Sequence, residues 1–354
     1  MFPYKELSGA IHLHTRYSDG GVDYNTLINA AQAVGLDYVI VTDHMSLGGL
    51  TDNFEGIHKN VTVLAGYEHN DLSNHNHYLA MGVKNVFFDA KKPQEYIDSI
   101  RNGGGIGFIA HPAEKRRYIN QFPPYPWTAW DADGYDGIEI WNQFSEWVEQ
   151  LKSWCSFIKI LYPRRFIDTA PADLLMRWDM LNCKRFVAGL GGVDAHTMTI
   201  RKGFFKFKVF PIKVELKGIR THLFIPESTD VSTFQTTKQS ILAALKKGNS
   251  FISNYRRGNA SGTQIYLVTG SGNMLPPGQN EYTDQCPKKI TVNIPKKATI
   301  KFLLNGKILD EKHSNYAEFT IISNGVYRVE VYIKNKAWIY SNPFPVGHYP
   351  FSAN

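Results

Sequence analysis

Cysteine is scarce in this chain. Cys155, Cys183 and Cys286 lie far apart and are odd in number, which argues against a disulfide framework and fits a reducing compartment. Long apolar runs are missing too. No stretch approaches the roughly 18 residues a membrane helix needs, and no basic segment followed by an apolar run opens the chain, so neither a membrane span nor a secretory signal is expected. A cytoplasmic protein is the expectation. Repeats of about 20–50 residues and low-complexity tracts are also lacking, which sets aside solenoids and arrays. With 43% hydrophobic and 20% charged residues, disorder is not the default, and 354 residues are long for a single core, so two domains are expected.

The net charge of +7 would attract anions, which suits phosphorylated substrates and also nucleic acid. Much of the excess lies in Lys288, Lys289, Lys296, Lys297, Lys301 and Lys307, which alternate with apolar residues and lack regularly spaced aromatic partners. Solvated strand faces explain them better than a nucleic-acid groove does.

Short apolar runs recur with helical segments between most of them. Strands are predicted near 9–14, 38–42, 61–66, 77–82, 106–110, 136–141 and 186–191, several of them apolar on both faces as doubly covered strands must be. Between the first two, Asp23 is a candidate N-cap, Leu27, Ala31 and Val34 follow helical spacing, and Gly35 ends the helix. Further helices are predicted at 93–102, 145–155, 171–182 and 237–247. This alternation predicts an α/β barrel of parallel strands inside a helical ring. The glycines at 103–105 lack a following Gly-Lys-Ser/Thr, so they read as a helix stop rather than a phosphate loop. Beyond about residue 260 strand-like segments follow one another without helices, with Asn-Gly turns at 305–306 and 324–325, and a small β-sandwich is expected there.

A barrel carries its chemistry at the carboxyl ends of its strands. In IHLHTRYSDG a period of two puts Ile11 and Leu13 on one face and His12 and His14 on the other, about 7 Å apart, a spacing suited to a metal ion. Asp19 follows. The next strands end in VTDH (Asp43, His44), GYEH (Glu68, His69), FIAHP (His111), GIEIWN (Glu139, Asn142) and GGVDAH (Asp194, His196). In NHNHYLAMG the histidines precede the apolar run, so His77 joins the others only if that strand runs antiparallel. Imidazoles and carboxylates without cysteine favour Mn²⁺, Fe²⁺ or Zn²⁺. Nine candidates, His12, His14, Asp19, His44, Glu68, His77, His111, Asp194 and His196, exceed what one ion takes, so two or three are expected. Asp43 alternates away from this face and reads as a hydrogen-bonding support, with a proton-donor role as the alternative. His69 and His75 also face away, toward solvent or a supporting place. Glu139 either touches the site or caps a strand end.

The motifs HLHTRYSDG, VTDH, GYE, HYLAMG, AHP, GIEIWN and GVDAH, in this order over roughly residues 8–255, resemble those of the PHP (polymerase and histidinol phosphatase) superfamily of metal-dependent phosphoesterases. RWDMLN and the tail ending YSNPFPV are similar to its CehA/McbA-type branch. The resemblance implies a distorted (β/α)7 barrel over 1–255, followed by an Ig-like β-sandwich over 256–354, and a trinuclear centre. Carried over, His12, His14, Glu68 and Asp194 would hold one ion, Asp19, His44 and His196 a second, and Glu68 with His77 and His111 a third.

Clustered ions lower the pKa of a bound water and clamp phosphoryl oxygens, so a bridging hydroxide is the expected nucleophile. Arg16, Lys115, Arg116, Arg117, Arg201 and Lys202 lie on loops at the expected rim, and the EKRR run is the first candidate for gripping phosphate. The expected activity is hydrolysis of a phosphomonoester on a small metabolite or nucleotide. The alternatives are a carboxyl or carbamate ester, a phosphodiester at a nucleic-acid end, and a metal-stabilised binding scaffold without catalysis.

Overall fold

The computed structural model describes residues 2–116, 123–151, 159, 162–202, 205–278 and 287–351. Its N-terminal part contains β1 (Tyr4–Leu13), β2 (Tyr38–His44), β3 (Gly56–His58), β4 (Val61–His69), β5 (Tyr78–Met81), β6 (Ile106–Ile109), β7 (Gly137–Asn142) and β8 (Ala188–Gly192). Helices Tyr24–Ala33, Pro93–Asn102, Gln143–Glu149 and Ala172–Lys184 stand between them. Local chemistry sets their ends. Asp23 Oδ1 accepts from Thr26 N at 2.8 Å to start the first helix, and Pro93, whose missing N–H costs nothing in a first turn, opens the second.

β1 pairs with β2 and β2 with β4 in parallel. β5 runs antiparallel to both β4 and β6, and β6–β7 and β7–β8 are parallel again. Past β8 the chain bonds back to the first strand, Val193 N to Ile11 O at 2.9 Å and Asp194 N to His12 O at 2.7 Å. Alternate residues go to opposite sides: Ile40, Leu64, Leu79 and Phe108 share one core, whereas Val39, Val41 and Val63 pack with Leu27 and Ala31 of the first helix.

The expectation for Ile11 and Leu13 is corrected. They pair with the consecutive residues Ile40 and Val41 across a register shift, and they belong to different cores. His12, at φ 65°, forms the bulge that turns the strand by one residue.

After β8 come the hairpin β9 (Met198–Lys202) and β10 (Phe205–Val209), then β11 (Ile219–Pro226), helix Phe234–Lys247 and β12 (Ser250–Asn254). The hairpin was not anticipated. Of the helix predicted at 145–155, the structure shows Gln143–Glu149, and residues 152–158 lie outside the described residues. From Gln264 on, every described element is a strand: β13 (Gln264–Thr269), β14 (Met274–Leu275), β15 (Pro287–Leu304), β16 (Lys307–Thr320), β17 (Gly325–Ile333), β18 (Lys336–Ser341) and β19 (Phe344–Val346). Asn305 and Gly306, at φ 48° and 81°, make the tight turn between β15 and β16, which needs both residues in the left-handed region.

The two parts share hydrogen bonds and core. β11 lies between β1 and β12, and β12 pairs on with β18. Phe2, Phe224 and Phe251 pack with Ile265, Val292 and Trp338. Arg328 of β17 grips Asp179 of helix Ala172–Lys184 through Nε and Nη2, at 2.6 and 2.7 Å, and also bonds Glu330. A chain of bonds from Glu6 through His222 to Ser253 ties β1, β11 and β12, with His222 Nε2 2.8 Å from Ser253 Oγ. Ser253 is wholly buried, so this is a structural tie. No helix among the described residues is long and apolar enough to cross a membrane.

Candidate metal centre

The reversal of β5 decides the site. Because β5 runs against its neighbours, His77 at its start reaches the end of the sheet where β4 delivers Glu68 and β6 delivers His111, and Ala110 N donates to His77 O at 3.0 Å. All nine sequence candidates meet there. Their ligand atoms form four overlapping groups, each within 4.8 Å: His14, Asp19, His44 and His196; His12, Glu68 and His111; His12, His14 and Asp194; His44, Glu68 and His77.

Glu68 is the hub. Its Oε1 lies 2.7 Å from His77 Nδ1 and 3.0 Å from His111 Nε2, and its Oε2 lies 3.1, 3.3 and 3.5 Å from His12 Nε2, His14 Nε2 and His44 Nδ1. Asp194 Oδ1 stands 3.3 Å from His14 Nε2 and 3.5 Å from both His12 Nε2 and His196 Nδ1. Asp19, half exposed, reaches His196 at 3.3 Å and His14 and His44 at 3.7 and 3.8 Å.

Protonation follows from these contacts. Burial opposes a charge on His14, yet Asp194 and Glu68 beside it hold the imidazole up to about 10, and Glu114 and Glu68 hold the equally buried His111 up to about 9. Burial pushes His44 down to about 4. Glu68 and Asp194 stay well below the usual carboxylate range despite burial, because imidazoles surround them.

Several buried nitrogens nonetheless lack a hydrogen-bond partner: both ring nitrogens of His14, Nε2 of His77 and Nδ1 of His111. For His14 Nε2 the carboxylates are near enough but out of line. Each such orphan costs about 1–3 kcal/mol, and a wholly buried imidazole with two of them, amid three carboxylates and no thiolate, fits coordination to hard or borderline divalent ions. Strain points the same way. His12, His111 and Asp194 have φ of 65°, 27° and 55°, a region that side-chain-bearing residues adopt at a cost of about 1–3 kcal/mol each.

A supporting layer holds the ligands. Glu139 accepts from His12 Nδ1 at 2.9 Å, from His111 N at 2.6 Å and from Asn142 Nδ2 at 2.9 Å, and Asn142 Nδ2 also lies 3.3 Å from Asp194 Oδ2. Gly192 makes the approach possible, since a Cβ there would sit 1.6 Å from Glu139 Oε1. Asp43 is outside the ligand groups. It accepts from Thr15 N, Thr15 Oγ1 and Ser18 Oγ at 2.6–2.7 Å and so pins the loop that carries Asp19. His69 is not toward solvent: it is fully buried, with Nε2 2.9 Å from Ala90 O. His75 lies beside Ser73 in an exposed turn.

Of the basic candidates, Arg116 alone among the described side chains lines the cavity at the cluster, a space of about 140 Å³ also walled by Tyr125, Phe144 and the ligands. Its guanidinium is buried, lies 2.5 Å from Glu114 Oε1 and 5.4 Å from each of the Tyr125 and Phe144 ring centres, and its Nε has no partner. Arg16 is exposed beside Asp23, and Lys115 pairs with Asp173 at 2.8 Å, so neither faces this cavity. Arg201 and Lys202 are on β9; their side chains, like Arg117, lie outside the described residues. Glu114, Tyr125, Phe144 and Glu215 were missed. Only Glu114, three residues after His111, had a spacing that could have found it. Glu215 accepts from His196 N and Thr197 Oγ1 at 3.2 and 2.7 Å, and Tyr125 stacks on His77 at 5.0 Å.

Two acids near the site, the buried Glu215 and the half-buried Glu146, predict a pH dependence. Burial pushes Glu146, which accepts from Trp141 Nε1 at 2.7 Å, up to about 7, and Glu215 up to about 8. A folded-state pKa raised above the unfolded 4.5 gives stability that is present below pH 4.5 and lost as the pH rises through the folded value. His44 and His69, held down to about 4, contribute the opposite slope below pH 6.5, so chemical denaturation of the metal-free protein should show stability falling chiefly from pH 6.5 to about 8, and Glu146→Gln should make the slope below about 7 more positive. An unchanged slope in that variant would refute the assignment.

A buried imidazole and carboxylate cluster at one end of a mixed α/β sheet defines the class, a protein built to hold divalent cations. Residues 10–110, in the N-terminal part of the chain, match the family model of the PHP domain. The match stops short of GIEIWN and GVDAH and does not reach the narrower CehA/McbA-type branch. No curated protein matches the chain. Among solved structures it is similar to a two-domain protein of Bacteroides vulgatus containing a predicted PHP-like metal-dependent phosphoesterase, with 14% identity, 97% of this chain and 96% of that one covered, and a TM-score of 0.48. It is also similar to PsfC of Pseudomonas syringae (15%, 67% and 89%, 0.42) and to an amidohydrolase of Chromobacterium violaceum (16%, 58% and 92%, 0.31). Likeness at this level is too distant to carry a residue's role from one chain to another.

Proposed function

We propose that this chain is a metal-dependent hydrolase of phosphate esters, acting on a phosphomonoester of a small metabolite or nucleotide. The observation that carries the reading is the meeting of nine imidazoles and carboxylates around Glu68 with buried ring nitrogens left unpaired. His12, His14, Glu68 and Asp194, then Asp19, His44 and His196, then His77 and His111 with Glu68, would hold two or three ions of Mn, Fe or Zn. Such ions, when bound, lower the pKa of water and neutralise charge on phosphoryl oxygens.

The chain's own groups do the rest. Arg116 supplies a fixed guanidinium to the phosphoryl oxygens, which arginine grips in bidentate fashion. Tyr125 and Phe144 wall the cavity and limit water beside it. Glu139 fixes the ring orientation of His12 through Nδ1, leaving Nε2 to face the centre. In the reaction a bond forms between a water oxygen and phosphorus, the ester P–O bond breaks, and the alcohol leaves with a proton drawn from the water. Residues 1–255 are read as a distorted (β/α)7 barrel and 256–354 as an Ig-like β-sandwich.

Elemental analysis of protein purified without chelator is expected to find two to three transition ions per chain, and EDTA should abolish hydrolysis of p-nitrophenyl phosphate until Mn²⁺ is returned. A panel of phosphomonoesters, phosphodiesters and carboxyl esters tests the substrate class. One ion or none, or a preference for carboxyl or carbamate esters, would overturn the proposal.

A further inference from the structure

We infer that Glu114 is a positioning residue for the phosphoryl group: it holds the guanidinium of Arg116 in the cavity at the ligand cluster and leaves Nε of that guanidinium as the donor for a phosphoryl oxygen. This deepens the hydrolase reading and rests on it for the identity of the anion. Arg116 is buried, and the cavity it lines offers about 140 Å³, room for a phosphoryl group and little more. A guanidinium in such a place needs a fixed counter-charge, because an unpaired buried cation is costly. Glu114 is the one carboxylate paired with it among the described residues, with Oε1 2.5 Å from Nη2.

Glu114 is itself locked in place. Its side chain is wholly buried. Ser145 Oγ donates to Oε1 at 2.5 Å and Tyr125 N to Oε2 at 2.8 Å, so this carboxylate ties the loop after β6 to the segment at 125 and to the first turn of helix Gln143–Glu149. Arg116 then lies between two rings, 5.4 Å from the centre of Tyr125 and of Phe144. Both rings continue into the metal centre: Tyr125 stacks on His77 at 5.0 Å, and Phe144 lies 5.1 Å from the ring of His196. Carboxylate, guanidinium and rings form one unit, and Glu114 is where its three chain segments meet.

The nitrogens of Arg116 are unequally used. Nη2 is taken by Glu114, Nη1 reaches Pro123 O at a long 3.4 Å, and the buried Nε has no partner. Buried polar groups are as a rule satisfied, so a knot that served packing alone would have no use for a donor left idle on a buried cation. In a cavity walled otherwise by imidazoles and carboxylates suited to divalent cations, the acceptor that completes such a donor is an anion that shares those cations, as a phosphoryl oxygen does. The backbone is strained to present this side chain, with Arg116 at φ 35°. A guanidinium beside a centre that holds cations is repelled by them, and Glu114 supplies the opposite charge that keeps it there.

Inorganic phosphate is the probe, titrated by calorimetry into the full chain loaded with Mn²⁺. Glu114→Gln keeps the size of the side chain and removes its charge. It should weaken phosphate binding about tenfold and raise KM for p-nitrophenyl phosphate by the same factor, with kcat within about twofold and ion content unchanged. Arg116→Gln should do the same, and the two together should do no more than either alone, because Glu114 acts through Arg116. If Glu114→Gln does not fold, Glu114→Asp, which draws the carboxylate back from Nη2, carries the same cycle. Losses that multiply in the double variant, an unchanged phosphate affinity in the Glu114 variant, or a wild type that does not bind phosphate would overturn the inference. The two readings fail separately: wild type that binds phosphate through this pair but leaves p-nitrophenyl phosphate intact refutes the hydrolase and keeps the pair, whereas hydrolysis with a KM that Glu114→Gln leaves unchanged refutes the pair alone.

Discussion

Glu68→Gln is expected to lower turnover by roughly a thousandfold and to cost the protein at least one bound ion. Five imidazoles lie within 3.5 Å of this one carboxylate, so no other substitution removes as much negative charge from as many partners. The side chain keeps its size, which separates charge from packing. Stability of the metal-free form should fall as well, by about 3–5 kcal/mol where the imidazoles are protonated, because breaking a buried pair strands its partners. The sign with pH is fixed. His14 and His111, held up to about 10 and about 9 against an ordinary 6.5, contribute stability that is complete below pH 6.5 and lost as the pH rises through 9 to 10. The variant should therefore lose most at pH 6 and least at pH 10. Metal analysis, initial rates and urea titrations at the two pH values check this. Unchanged ion content with full activity would remove Glu68 from the centre.

Asp179→Ala is expected to destabilise the protein by about 3–5 kcal/mol without touching the metal centre. Both of its oxygens are bonded to the buried guanidinium of Arg328, which would be left with only Glu330. The triple variant Asp179→Leu, Arg328→Met and Glu330→Gln should regain much of the loss, since it removes the whole buried charge triad and with it the desolvation that the triad bears. Urea denaturation of the three proteins gives the comparison. Equal midpoints for Asp179→Ala and wild type would mean that solvent already reaches this pair. Ion content should stay constant throughout, which distinguishes a structural tie from a ligand.

What the sequence made legible was the part governed by period and by strand ends. His77 before its strand and Glu68 and His111 after theirs can meet only if β5 is reversed, and hydropathy alone carried that information. Pro93 and the glycines at 103–105 bracketed a helix for local reasons. The bulge at His12 was hidden, because nothing in IHLH distinguishes a strand of strict alternation from one with an extra residue. Asp43 alternated away from the cluster as expected, but its task of pinning Thr15 and Ser18 depends on a loop whose path no pattern encodes. Arg116, Tyr125 and Phe144 meet across long stretches of chain. Contacts of that range have no sequence period.

The pairing of β12 with β18 bears on how the polypeptide is made. As synthesis proceeds, Ser250–Asn254 can join β11 early, but its other edge finds its partner only after residue 341 has left the ribosome. For the translation of nearly ninety further residues a bare strand edge faces solvent or a chaperone, and an exposed edge is a template for mispairing. The seam that unites the finished molecule is thus the stretch most vulnerable during its birth.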